Sequence, residues 1–148
     1  MIKQELVIAK INFKNSTELF SFAASLLQQK GIVKPGFLEA LIQRENLYPT
    51  GLVINGTGIA LPHTDRELVV QKALAVAICP QPVIFKKMDD PGQDILVKIV
   101  FFPLASFGQA KFLASLLNKI RNSDILNKLC NAKDKKEIWQ LLKKSLNT

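Results

Sequence analysis

The sequence predicts an α/β fold, a three-layer α/β/α sandwich around one mixed sheet. Three observations carry the prediction. Apolar runs at residues 73–79 and 95–102, the second interrupted only by Lys98, have strand length, as expected of central strands covered on both faces. Segments of helical periodicity stand on either side of them. The Asn55-Gly56 pair between residues 52–54 and 58–61 is a strong hairpin-turn signal and adds antiparallel pairing.

Each element follows from a local pattern. Alternation over residues 6–11 predicts a first strand. Asn15, with Glu18 three residues on, resembles a capping box that opens a helix through Ser21, Phe22, Leu26 and Leu27, closed by Gly31. A second helix is expected from Pro35, with Phe37, Leu38, Leu41 and Ile42 on one face and its end near Glu45 or Asn46. Pro80 and Pro103 are expected to terminate the central strands, because proline lacks the N–H a ladder needs. Beyond Pro103, Phe112, Leu113, Leu116, Leu117 and Ile120 share a helical face. Ser123 opens a further helix through Ile125, Leu126 and Leu129, and Asp134 with Glu137 caps a last one carrying Ile138, Trp139, Leu141 and Leu142. Trp139 reads as core of that helix. With no repeat, low-complexity tract or linker, residues 1–148 are expected to form one domain.

Composition excludes several classes. The chain is 48% hydrophobic and 22% charged, and its longest apolar stretches are too short to cross a bilayer. No signal-peptide apolar region precedes Lys10, so a cytoplasmic location is expected. Cys79 and Cys130 are far apart and read as buried reduced thiols; with a single histidine they make a metal site improbable, and no cofactor is expected. The net charge of +8 invites a nucleic-acid-binding module as an alternative from another class. Its distribution argues against that partner, because Lys128, Lys133, Lys135, Lys136, Lys143 and Lys144 interleave with Asp134 and Glu137 on a solvated helical region.

The one histidine, His63, follows Gly58-Ile59-Ala60-Leu61-Pro62. Pro62 biases Leu61 toward an extended conformation, so the strand should end there and hand His63 to a loop at the sheet edge. An imidazole is largely uncharged and nucleophilic near neutral pH. In a three-layer fold, Arg44-Glu45 at the end of the second helix, Pro49-Thr50-Gly51 before the hairpin, and Gln109 at the start of the helix after Pro103 can all converge on that edge. These groups suit phosphoryl transfer, in which catalysis is mostly alignment plus stabilisation of charge on the peripheral oxygens. Arg44 offers bidentate donors, Thr50 a hydroxyl and Gln109 an amide. Glu45 and Asp65 can tune His63, Asp65 and Glu67 read as solvated loop positions, and Lys111 is a further group that can meet phosphate.

Arg44-Glu45, Pro49-Thr50-Gly51 and the run from Gly58 to His63 resemble, in order and spacing, the IIA components of the fructose/mannitol class of the bacterial phosphoenolpyruvate-dependent sugar phosphotransferase system. The resemblance covers nearly the whole chain. It implies that His63 accepts a phosphoryl group, on Nε2, from the phosphohistidine of HPr and passes it to a cysteine of the IIB component, with Arg44 steadying it. The membrane component IIC is then engaged only indirectly. Mannitol- and fructose-type members carry a second histidine where this chain has Gln109-Ala110-Lys111, so Arg44 must contribute more of the stabilisation here. Tyr48-Pro49-Thr50-Gly51 together with Gln109 looks most like the galactitol-type subgroup. A regulatory member of the same class, signalling by its phosphorylation state, is the alternative. For docking of HPr and IIB in turn, an apolar rim of Leu61, Thr64 and Val69 is expected.

Overall fold

The computed structural model describes residues 2–146. Its elements are β1 (Ile2–Ile8), α1 (Ser16–Gln29), α2 (Phe37–Leu47), β2 (Leu52–Ile54), β3 (Thr57–Ala60), β4 (Ala73–Lys87), β5 (Asp90–Leu104), α3 (Gln109–Arg121), α4 (Ile125–Cys130) and α5 (Lys135–Leu146). The five strands form one sheet in the order β1-β4-β5-β3-β2. Pairs β1/β4 and β3/β5 are parallel and pairs β4/β5 and β2/β3 antiparallel, so the sheet is mixed, as predicted.

Alternation along the two long strands builds two separate cores. Ala73, Ala75 and Ala77 of β4 and Val100, Phe102 and Leu104 of β5 face α1 and α2, where Leu19, Phe20, Leu27, Phe37 and Leu41 are buried. Leu74 and Val76, with Ile99 and Phe101, face the opposite side and pack with Leu116, Ile120, Leu126, Leu129, Ile138 and Leu142 of α3, α4 and α5. Burial on both faces is why residues 73–77 and 99–104 are apolar without alternation, whereas Leu96 and Lys98, earlier in β5, are exposed. Each fully buried Phe or Leu contributes about 1.5–3 kcal/mol. Phe20 ties the first core together, its ring lying 5.9 Å from Phe85 and 6.1 Å from Phe102.

The caps read from sequence are present. Asn15 accepts the Glu18 N–H at 2.9 Å, and Asp134 accepts the Glu137 N–H at 2.9 Å while the Glu137 carboxylate reaches back to the Lys133 N–H. Helix α2 begins two residues later than expected, because Gly36 at φ 95° turns the chain in the left-handed region before Phe37.

Two strand boundaries differ more. Neither Pro80 nor Pro103 ends its strand, and β4 and β5 run on as one long hairpin. Pro80 and Pro82 sit in a register irregularity between Ile78 and Val83, past Ile8, where β1 no longer covers the outer side of β4. Pro103 pairs with Leu74, beyond the last β3 partner at Val100. An edge position has no ladder bond for the missing N–H to break. Strand β1 starts at Ile2, earlier than the alternation suggests, because its register is irregular between Ile2 and Val7 and the polar residues Lys3, Gln4 and Glu5 lie exposed.

One close approach sets the seat of β3. A Cβ on Gly58 would overlap the Leu96 carbonyl oxygen, a backbone atom that cannot swing aside. Gly58→Ala should therefore lower the unfolding free energy by about 3 kcal/mol, as other overpacked sites do. Gly92→Ala, which meets only the Asp90 side chain at 3.7 Å, should stay within about 0.5 kcal/mol of the parent. Urea denaturation of the two variants checks the contrast.

Candidate functional site

Strand β3 ends at Ala60, and Leu61 and Pro62 continue as buried extended chain to the half-buried His63. The segment beyond it is pinned from the far side. A 3-10 turn at Arg66–Leu68 leads into a bridge between Val33 and Val69, with Lys34 N–H donating to the Leu68 carbonyl at 2.9 Å and Val70 N–H to the Ile32 carbonyl at 2.8 Å. The loop is thus fastened at both ends, which confines His63 to a narrow range of positions.

A relay of hydrogen bonds then orients the ring. The Glu45 carboxylate, at the end of α2, accepts the Thr50 backbone N–H and the Thr50 hydroxyl, both at 2.8 Å. The same hydroxyl oxygen accepts the Leu61 N–H at 3.0 Å. The Leu61 carbonyl in turn lies 2.7 Å from His63 Nδ1. A carbonyl oxygen can only accept, so Nδ1 carries the proton and Nε2 keeps its lone pair. Thr50 differs from expectation here. It is 4% exposed, and its single proton is committed to Glu45, so it positions β3 instead of offering a free hydroxyl.

Arg44, one turn from the C-terminus of α2, pairs through Nη1 with Asp65 Oδ1 at 3.0 Å, and its guanidinium lies 5.5 Å from the centroid of the Tyr48 ring. Asp65, read from sequence as a solvated loop residue, is the partner of this arginine while remaining largely exposed. Burial is the largest influence on His63 and pushes its pKa below the ordinary 6.5; the Leu61 carbonyl opposes it, Arg44 reinforces it, and Asp65 opposes it. Burial also raises the Glu45 pKa above 4.5, against the two Thr50 bonds that favour its ionised form.

The structure brings His63, Arg44, Asp65, Glu45 and Thr50 together. Gln109 is the first residue of α3, as expected, yet no hydrogen bond joins it to His63, Arg44 or Thr50 among the described residues; its Oε1 is buried without a partner. Lys111 lines a separate cavity of about 370 Å³ with Lys72, Phe107 and Phe112. The expected docking rim is corrected outright. Leu61, Thr64 and Val69 are 2%, 4% and 7% exposed and belong to the interior, because the pinned loop turns them inward. The exposed apolar groups near the loop are Tyr48, Val70 and Phe107, the last 80% exposed with the Arg66 guanidinium 6.0 Å from its ring. Glu67 makes only a long 3.9 Å contact with Arg66. No set of three or more His, Cys, Asp or Glu side chains is grouped to hold a metal ion among the described residues.

With that geometry in view, the comparisons identify the class. The family model for the phosphoenolpyruvate-dependent sugar phosphotransferase system, EIIA 2, matches residues 1–145, and the chain belongs to this family of phosphotransferase components. It is 28% identical over 121 residues to the galactitol-specific EIIA component of Escherichia coli K12, covering 80% of each chain. It is 27% identical over 146 residues to a nitrogen regulatory protein homolog of Haemophilus influenzae, covering 95% of this chain and 87% of that one. A match of 25% identity to the mannitol-specific EIICBA component of Vibrio cholerae covers 95% of this chain but only 21% of that much longer protein. The fold superposes on Escherichia coli enzyme IIA for mannitol, solved in complex with phosphorylated IIB, with a TM-score of 0.78 at 22% identity over 96% of both chains.

The ring should titrate as its surroundings dictate. Nitrogen-detected NMR of the lone histidine is expected to show a midpoint below 6.5 and, at neutral pH, the Nδ1–H tautomer. Because the folded pKa is depressed, His63 contributes stability that is present above 6.5 and is lost as pH falls through the lowered midpoint. His63→Gln should remove that part of the acid-side loss, as read from unfolding midpoints across the interval.

Proposed function

We propose that His63 is the residue that carries the phosphoryl group in this phosphocarrier, taking it on Nε2 from phosphorylated HPr and passing it to a cysteine of a IIB component during sugar uptake at the cytoplasmic face of the membrane. The observation that carries this reading is the 2.7 Å contact from Nδ1 to the Leu61 carbonyl, which leaves Nε2 as the nucleophilic nitrogen. In the first step the donor's P–N bond breaks as the Nε2–P bond forms, and the ring becomes cationic while keeping its Nδ1 proton on Leu61. In the second, a thiolate attacks phosphorus and the Nε2–P bond breaks, returning the ring to its neutral form. A loose transition state puts charge on the peripheral oxygens, where Arg44 has donors to offer. Asp65 holds that guanidinium in the unphosphorylated state and yields it to the more highly charged phosphoryl group. Gln109, with no bond to the site, contributes less.

The galactitol-type relative and the Tyr48-Pro49-Thr50-Gly51 sequence support a polyol such as galactitol as the sugar. A second reading, regulation by phosphorylation state, is supported by the nitrogen regulatory relative, most of whose length this chain matches. Incubation with phosphoenolpyruvate, the first enzyme of the system, HPr and purified galactitol-type IIB separates them. Uptake predicts onward transfer to the IIB cysteine, and a phosphorylated chain that retains its label in the presence of IIB would favour regulation.

Labelling should add one acid-labile phosphoryl group and should be abolished in His63→Ala; normal labelling of that variant would overturn the assignment. Arg44→Ala and Arg44→Lys should each slow transfer about a hundredfold, the cost of one preorganised donor to a transition-state oxygen, whereas Gln109→Ala should lose less than tenfold. Rapid-quench kinetics from phosphorylated HPr measures both, and a Gln109 variant slower than the Arg44 variants would reverse the division of roles.

A further inference from the structure

A second cavity, of about 220 Å³, opens between the end of β1, the middle of β4 and β5, and the α4–α5 connection. Sheet register separates it from His63. Beyond Ala60, which pairs with Val100, the chain leads away toward His63, whereas Lys98 and the Ile78–Pro80 stretch lie in the opposite direction along the strands. Three lysines line the cavity, each from a different part of the chain: Lys10 after β1, Lys98 on β5 and Lys133 before α5. None of the three makes an ion pair among the described residues. Asp134 is the sole acid in the lining, and it already accepts the Glu137 N–H as the cap of α5.

Three ammonium groups against the one carboxylate of Asp134 leave the cavity net positive, and a net positive cavity with an apolar wall is matched to an anion. A second observation points the same way. Lys10 has φ +60°, a left-handed conformation that a non-glycine side chain seldom adopts and that collects at ligand sites. Its loop is held in place by Asn12, whose side chain accepts the Gln81 N–H from the irregular stretch of β4. Ala9, Ile78, Cys79, Pro80 and Ile138 give the cavity an apolar wall. The Cys79 thiol is pushed up to about 11 by burial and so adds no charge, and burial also raises the Cys130 thiol against the opposing influence of the Lys98 ammonium.

We propose that this cavity is a binding site for a small organic phosphate monoester, its phosphoryl dianion met by Lys10, Lys98 and Lys133 and its carbon body seated on Ile78 and Ile138. Lysines suit a phosphoryl group as point charges, whereas planar recognition of a carboxylate favours the fork of arginine, which this lining lacks. The volume is below the roughly 300–1,000 Å³ of clefts that take drug-sized ligands, which limits the carbon body to a few atoms.

The test is an amide-resolved NMR titration of the unphosphorylated chain with glycerol 3-phosphate at low salt, so that no transfer step enters and the result is independent of the role of His63. Saturable shifts are expected at Lys10, Lys98 and Lys133, weakened by added salt, with glycerol 3-phosphate binding at least tenfold more tightly than inorganic phosphate or succinate. Lys98→Ala, Lys133→Ala and Lys10→Asn, the last keeping a residue tolerant of the left-handed backbone, should each weaken binding about tenfold while the melting temperature holds. Alkylation of Cys130 should slow in the presence of the ligand. Non-saturable shifts, shifts confined to the His63 loop, equal affinity for inorganic phosphate, or lysine variants that bind like the parent would each overturn the proposal.

Discussion

The site depends on the half-buried carboxylate of Glu45. Removing a carboxylate from water is unfavourable, and here two hydrogen bonds from one residue, Thr50, offset it. Through them the C-terminal turn of α2 is tied to the start of the β2–β3 hairpin, and through the Thr50 hydroxyl to the N–H of Leu61 at the end of β3. Glu45, Thr50 and Leu61 are thereby fixed to one another, and the last of them contacts the histidine. The orientation of the Leu61 carbonyl, and with it the tautomer of His63, follows from that junction and not from any group touching Nε2.

The electrostatics around the ring are built so that much cancels. Arg44 and Asp65 act on the imidazole in opposite senses and are themselves paired, so burial is left to set the direction in which its pKa moves. The ring is held neutral without being surrounded by positive charge. An arginine engaged by an exposed carboxylate is also cheap to redirect, since such surface pairs are worth only about 0–1 kcal/mol.

Much of this was readable in the chain because it is local. The Asn15 and Asp134 caps, the Asn55-Gly56 turn and the two apolar central strands each express a spacing of a few residues, and the layered fold follows from them. The motif segments around Arg44, Thr50 and His63 likewise meet in space. What the sequence hid was tertiary. A proline reads as a strand terminator until the neighbouring strand is known to have ended, which is the case at Pro80 and Pro103. Leu61, Thr64 and Val69 fit an apolar docking rim as well as a core, and only the backbone bonds from Ile32 and Lys34 decide for the core. The pairing of Asp65 with Arg44 joins loop and helix across 21 residues, a separation at which charge spacing carries no signal. The commitment of the Thr50 proton to Glu45 spans only five residues but leaves the end of α2, so no helical or strand spacing announces it.

The long β4–β5 hairpin extends beyond the strands that flank it, and a strand without a neighbour presents a row of free donors and acceptors to any other chain that arrives extended. Pro80 and Pro82 stand where β4 outruns β1, and Pro103 stands where β5 outruns β3. Each removes a donor from the open ladder, and the irregular register at the first two bends the strand away from a flat template. Residues that look, in the sequence, like strand breakers are therefore the molecule's guard against amyloid-like stacking and edge-to-edge aggregation. They leave the outer, largely solvent-exposed part of the hairpin with fewer open donors for another strand to join.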